Sequence, residues 1–265
     1  YFTAVRAGQG LNTVMSQLAS HELGVPREAI VLVNGDTSLT TSSGVYGGCR
    51  STYWIGGAIR QASRVLKHAI LDTASEMLDV PAEKLYLTAR RVYVREKPQQ
   101  KVSLREIAAE WQRIGHPVRY TGVFDLSHQA HRNGKDGLLG HYVAGMALAQ
   151  VRVNLKNGKV DVLKVVVAQD VGRAINPVDL QGQIEGAVVM ELGATLMEEY
   201  VPGQTLDLKS YRIPRIKDIP AITVLPLEYP SHDGPHGAKG VGEAVMGHTR
   251  AAIANGFYNA TGVRV

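Results

Sequence analysis

Cysteine occurs once in the 265 residues, at Cys49, tryptophan twice and phenylalanine three times. One cysteine excludes an internal disulfide, cannot by itself hold an iron–sulfur cluster, and fits a reducing compartment such as the cytoplasm. No apolar run approaches the roughly 18 residues that a membrane-spanning helix needs. The opening Tyr-Phe-Thr-Ala-Val-Arg-Ala-Gly-Gln-Gly lacks the basic and then apolar regions of a signal peptide. The net charge is +5, but the 29 Lys and Arg residues are scattered and only 6% of residues are aromatic. With no stacking platform or basic helix, a nucleic-acid partner is excluded, whereas phosphate-bearing ligands or an acidic partner subunit would use the same charge.

Several familiar sites are missing as well. There is no Gly-x-x-x-x-Gly-Lys-Ser/Thr phosphate loop. Gly8-Gln9-Gly10 lacks the third glycine of a dinucleotide fingerprint and its acidic partner. His128 and His131 have no third ligand for zinc, and Ser42, Ser43 and Ser51 have no evident His–Asp partners.

What remains is a chain with 45% hydrophobic and 20% charged residues, the balance of a globular protein with a sizeable core. Residues 1–7 read as a strand, and Leu11, Val14, Met15, Leu18, Ala19 and Leu23 recur at helical spacing up to a stop at Gly24-Val25-Pro26. Ile30–Val33 reads as a short strand, residues 37–48 as a Ser/Thr/Gly loop, and Gly57–Leu78 as a helix. Leu85–Leu87 and Arg91–Val94 predict a hairpin. Ser103 and Glu106 form a capping box that opens a helix to Ile114. Residues 116–140 carry no period. Tyr142–Leu155 and Val160–Val167 flank Asn157-Gly158, a hairpin signal. A helix is expected over Pro177–Glu199, extended segments and turns over the proline-rich residues 201–234, and a last helix over Glu243–Ala260. Without the regular spacing of a doubly wound sheet, the fold class is α+β, with mixed sheets and packed helices.

Four polar or glycine-rich loops each enter a helix: Gly8–Gly10, Gly47–Thr52, Asp170–Gln183 and Gly237–Glu243. Glycine turns and helix N-termini are ready anion sites, and four in one basic chain point to a large phosphate-bearing cofactor. In the last loop, Pro235-His-Gly-Ala-Lys-Gly-Val-Gly-Glu243, the glycines allow close backbone approach and Glu243 falls near a positive helix end. A plain glycine-rich loop with an acidic helix start reads equally from that stretch alone. Lys239 reads as a solvated side chain, with phosphate complementation as the alternative it shares with Arg50. Cys49 reads as a small packed residue.

In this order the loops resemble the molybdenum-binding large subunit of the xanthine dehydrogenase and aldehyde oxidoreductase family. Gly8-Gln9-Gly10 is similar to that family's Gly-Gln-Gly segment. Gly47-Gly48-Cys49-Arg50-Ser51-Thr52 resembles the Gly-Gly-Ser-Arg loop around the pterin, with cysteine where serine is common. Asp170-Val171-Gly172, Asn176-Pro177 and Gly182-Gln183-Ile184-Glu185-Gly186 resemble a further block, whose glutamine contacts the cofactor. Gly240-Val241-Gly242-Glu243 matches the motif carrying the family's catalytic carboxylate. The resemblance implies molybdenum held by the pterin dithiolene, with no protein ligand to the metal, and the cytosine dinucleotide form if the origin is prokaryotic. It implies cofactor contacts from Gly8, Gln9, Gly10, Gly47, Gly48, Cys49, Arg50, Ser51, Thr52, Gln183, Gly240, Val241 and Gly242, and general-base work by Glu243.

The implied reaction oxidises an N-heterocycle or aldehyde carbon with water as oxygen source. A reductase that dehydroxylates an aromatic thioester and a non-catalytic structural fragment are the alternatives. Iron–sulfur clusters and FAD are implied on partner chains, and the family's earlier Gly-Gly-x-Phe-Gly loop is expected before Tyr1. On this reading the chain is the C-terminal half of a large subunit, with one molybdopterin-binding subdomain over residues 1–140 and a second, carrying Glu243, over 141–265.

Overall fold

In this computed structural model the structure describes residues 1–42, 47–125 and 141–264. Ser43, His128 and His131 lie outside the described residues. Two compact units form, one from residues 1–140 with 233–235, the other from 141–232 with 236–265.

The first unit opens with α1, Leu11–Leu23, which buries Leu11, Val14, Met15, Leu18, Ala19 and Leu23 as its spacing predicts. Its end is fixed at Gly24 (φ 71°), whose N–H donates to the carbonyl of Ser20. Only glycine serves there, because an added Cβ would stand 2.4 Å from the carbonyl oxygen of Leu87. A π-helical turn over Ser51–Ile55 leads into α2, Gly56–Leu78. The strands β1, Leu85–Thr88, β2, Arg91–Val94, and β3, Lys97–Ser103, form an antiparallel sheet in that order. The β1–β2 turn is Ala89-Arg90, both at positive φ (46° and 66°), so a two-residue hairpin forms here without glycine. Helix α3, Leu104–Ile114, starts on the predicted capping box, with Ser103 accepting from the Glu106 N–H and Glu106 reaching back to the Ser103 N–H. Its Ile107 and Trp111 close a core with Ile70, Ala74, Leu87 and Val92.

Two expectations fail in this unit. The strands read over 1–7 and 30–33 reduce to one bridge, Phe2 to Asn34. Val5 and Val31 are exposed and Ala4 alone of residues 1–7 is buried, so a two-stranded pair here has little to hold it. β3 adds a strand that carries no sequence signal, since its residues are mostly polar and exposed.

The second unit pairs β4, Gly145–Val153, with β5, Val160–Asp170, through the Asn-Gly turn, where Gly158 takes φ 72°. β5 leads through α4, Pro177–Leu196, to β6, Ala221–Leu227, which lies parallel to β5, a geometry that requires such a crossover. β6 is one of the extended segments expected over 201–234, here paired into the sheet. Pro226 hides it, and a proline is tolerated because β6 is an edge strand of the order β4-β5-β6. A one-turn helix, Leu208–Tyr211, also falls in that stretch. The last helix, α5, runs Met246–Thr261, so Glu243 stands in the turn before it rather than in its first turn. Val165, Val167, Val171, Ile184, Val188 and Val245 centre this unit's core. Among the described residues, no helix is long and apolar enough to cross a membrane.

Candidate functional site

In the first unit, Gly10 (φ 71°) caps the start of α1, and Gly8 (φ 97°) turns the chain just before it. The Gln9 side chain folds over this turn, accepting from the Ala7 N–H at 2.7 Å and donating to the Val5 carbonyl at 2.8 Å. Gly48 and Cys49 take φ 70° and 61°, so the second loop is equally tight, and Arg50 Nε donates to the Gly47 carbonyl at 3.0 Å. Cys49 is a half-buried thiol in a left-handed conformation uncommon outside glycine. Ser51 and Thr52, both half-buried, open the π-helical turn.

Packing brings these two loops to the same end of a helix pair. A Cβ on Gly56 would meet Leu18 Cδ1 at 2.8 Å. One turn on in α1, Glu22 pairs with Arg60 at 3.5 Å and with Arg64 at 2.7 Å, one and two turns on in α2. Leu23 then shares its core with Ile70 and Ala74. The contacts advance together along both chains, so α1 and α2 run in one direction. Their positive ends, each preceded by a glycine turn, therefore lie side by side. Among the described residues, an added Cβ on Gly8, Gly47 or Gly48 would meet nothing within 4 Å, so those residues leave the space over these turns open.

In the second unit, the Asp170 and Gly237–Glu243 loops emerge from the carboxyl ends of the parallel strands β5 and β6, where ligands of open α/β sheets gather. Val171 donates to the Leu227 carbonyl at 2.9 Å, tying the two strand ends together. The Gly172 N–H donates to Asp170 Oδ1 at 2.9 Å, and the Lys239 N–H to the Val171 carbonyl at 3.1 Å. A Cβ on Gly172 would stand 2.3 Å from the Gly237 carbonyl oxygen, so the loops touch backbone to backbone. Three side chains from the expected motifs, Val171, Ile184 and Val241, meet in one core. Around that cluster stand the half-buried Gln183 on α4 and the exposed Gly242 and Glu243. Helix α4 starts there too, with Asn176 as its cap accepting from the Asp179 N–H, and Pro177 in its first turn.

Val241 offers any ligand only its backbone, since its side chain is buried. Lys239 corrects the expectation of a solvated cation. It is 12% exposed, and its Nζ bonds Asp170 Oδ2 at 2.6 Å. His141, which the sequence did not single out, accepts from the Gly240 N–H at Nε2, 3.3 Å away. Burial, and then the Lys239 cation, hold its pKa below the ordinary histidine value, with Asp170 opposing them. Among the described residues, no group of three or more His, Cys, Asp and Glu side chains stands close enough to hold a metal ion.

A family model described as the molybdopterin cofactor-binding domain matches residues 1–220. The chain belongs to that family. It is 33% identical over 268 residues to the 6-hydroxypseudooxynicotine dehydrogenase complex subunit gamma of Paenarthrobacter nicotinovorans, covering 96% of this chain and 32% of that one. It is 27% identical to the putative xanthine dehydrogenase molybdenum-binding subunit of Escherichia coli K12, covering 99% and 35%. The quinoline 2-oxidoreductase structure from Pseudomonas putida 86 superposes with a TM-score of 0.82 at 27% identity, covering 99% of this chain and 34% of that one. The resemblance to molybdenum-binding subunits of xanthine dehydrogenases and aldehyde oxidoreductases therefore holds along nearly the whole chain. The α+β architecture is that of this domain family, and the chain spans about a third of the length of the curated relatives it matches.

Proposed function

We propose that this chain is the cofactor-carrying C-terminal part of a molybdenum hydroxylase large subunit, acting on an N-heterocycle or an aldehyde. The observation that carries the reading is the meeting of Val171, Ile184 and Val241 in one core, which gathers three distant motifs at the carboxyl end of β5. The residues fit a phosphate-bearing pterin. Two helix N-termini stand together behind turns that the described residues leave open, and among those residues an added Cβ on Gly182 or Gly242 would likewise meet nothing within 4 Å. Packing among the described residues does not require glycine at 182 or 242, whereas close approach by a ligand does.

On this reading Gly8, Gln9, Gly10, Gly47, Gly48, Cys49, Arg50, Ser51 and Thr52 hold the cofactor from the first subdomain (1–140). Gln183, Gly240, Val241 and Gly242 hold it from the second (141–265). The backbone N–H groups of the turns and the helix dipoles receive the phosphates. The Gln9 and Gln183 amides give neutral hydrogen bonds that do not compete for protons. When bound, molybdenum–molybdopterin, in its cytosine dinucleotide form, supplies a two-electron oxidation with water as oxygen source. Glu243, exposed in a turn with no helix of its own around it, takes the proton released in that oxidation. Electrons leave to iron–sulfur clusters and FAD on partner subunits, in the cytoplasm, and the substrate pocket is completed by the N-terminal part of the large subunit.

Metal and pterin analysis tests this. The chain would be purified alone and with its N-terminal partner. Molybdenum with pterin in the assembled complex is the expected result, and none in either preparation would overturn the reading in favour of a purely structural role.

A further inference from the structure

The geometry points to a latch, formed by Asp170, Lys239 and His141, that sets where the Gly240–Glu243 loop stands. The inference rests on the proposed role of Glu243 and assigns the three residues as positioning residues, none of which need touch substrate.

Each member holds a different atom of the loop. Asp170, 5% exposed at the end of β5, grips the Lys239 ammonium at 2.6 Å through Oδ2 and the Gly172 N–H at 2.9 Å through Oδ1. The Lys239 N–H returns to the Val171 carbonyl at 3.1 Å, so this residue is pinned at both ends. His141 takes the next N–H along, that of Gly240, on Nε2. That bond requires Nε2 to be unprotonated, and therefore a neutral ring carrying its proton on Nδ1. The Lys239 cation beside the ring favours that state, as does burial.

Beyond Gly240 the chain is held by Val241 in the core, and Glu243 follows two residues later. A surface loop needs no buried ion pair, and a salt bridge with side chains only 12% and 7% exposed is weak evidence for stability in itself. Its geometry serves registry instead. It fixes the loop to the end of β5, to which Ile184 of α4 is also packed. Misplacing a reacting group by about 1 Å can cost roughly 100-fold in rate.

The test uses the assembled enzyme and three variants: Asp170→Asn/Lys239→Met, His141→Ala and His141→Gln. The double variant leaves no lone buried charge, and the amide oxygen introduced by Asp170→Asn still accepts from the Gly172 N–H. The amide oxygen introduced by His141→Gln likewise keeps an acceptor for the Gly240 N–H. The first two variants are expected to speed hydrogen exchange in the peptide spanning 239–243 by roughly tenfold or more. They should also lower kcat per bound molybdenum by about 10- to 100-fold with KM little changed. His141→Gln should restore much of both. Unaltered exchange in that peptide overturns the latch, and faster exchange with unaltered kcat overturns its link to turnover. The parallel Glu243→Gln variant separates the two readings. If it stays active, the base assignment fails, while the exchange result still decides whether the loop is latched.

Discussion

Two glycine-to-alanine changes, at Gly172 and Gly242, should have opposite consequences for the fold and the site. At Gly172 the backbone is left-handed (φ 66°), and the new Cβ would stand 2.3 Å from the Gly237 carbonyl oxygen and 2.8 Å from Lys239 N. The left-handed conformation costs about 1–2 kcal/mol and forced overpacking about 1–3, so the sum is about 2–5 kcal/mol. The contacting atoms are backbone and cannot rotate away, so the two loops must separate. At Gly242 the backbone is not left-handed and, among the described residues, a Cβ meets nothing within 4 Å. The fold should tolerate that change to within about 0.5 kcal/mol. If a cofactor approaches the Gly242 backbone, however, a methyl group there should weaken its retention by roughly 10- to 100-fold, the equivalent of about 1–3 kcal/mol of overpacking. Urea midpoints and molybdenum content, measured on the same preparations of the assembled protein, separate the two effects. A Gly242→Ala variant with unaltered stability and full molybdenum content would refute the reasoning about the open space over this loop.

Three further outcomes follow from the structure. Trp111→Phe removes the buried donor to Thr73 Oγ1 at 2.7 Å, and a loss of about 1–3 kcal/mol is expected in chemical denaturation. Ser103→Ala deletes the cap and one arm of the capping box of α3, at about 1 kcal/mol by the same measurement. Burial lowers the pKa of both His141 and His248. Each therefore takes up a proton more readily unfolded than folded. Their contribution to stability is complete above the ordinary histidine value of about 6.5 and is lost as pH falls through the window down to the depressed folded values. His141→Gln should flatten that part of the stability profile, and an unaltered slope would contradict the buried, neutral ring.

The parts of the fold written in local chemistry were legible in the sequence. Ser103 with Glu106, Asn157 with Gly158, and Asn176 with Pro177 each set an element boundary through near neighbours in the chain, and the helices and the β4–β5 hairpin stand where those signals put them. Pairing between distant segments was not. β6 lies beside β5 although Pro226 interrupts its pattern, and the two N-terminal strand readings end in one bridge, with Val5 and Val31 exposed and Ala4 the one fully buried residue of the first segment. The candidate site divides the same way. Glycine turns at helix entrances declare themselves by backbone chemistry, and all four loops do lead into helices. The start of the last helix differs from its reading, because Glu243 looks like a helix-start acid while the helical conformation begins three residues later. Lys239 meets Asp170 across 69 residues and Gly240 meets His141 across 99. One lysine and one histidine in a polar stretch look solvated until the tertiary fold brings their partners beside them.

The most direct measurement is turnover and metal content of the Glu243→Gln variant in the assembled enzyme. Glutamine keeps the size of the side chain and removes its basicity, so molybdenum should be retained at the wild-type level while turnover falls to background. Turnover close to wild type with molybdenum in place would contradict the assignment of position 243 as the base.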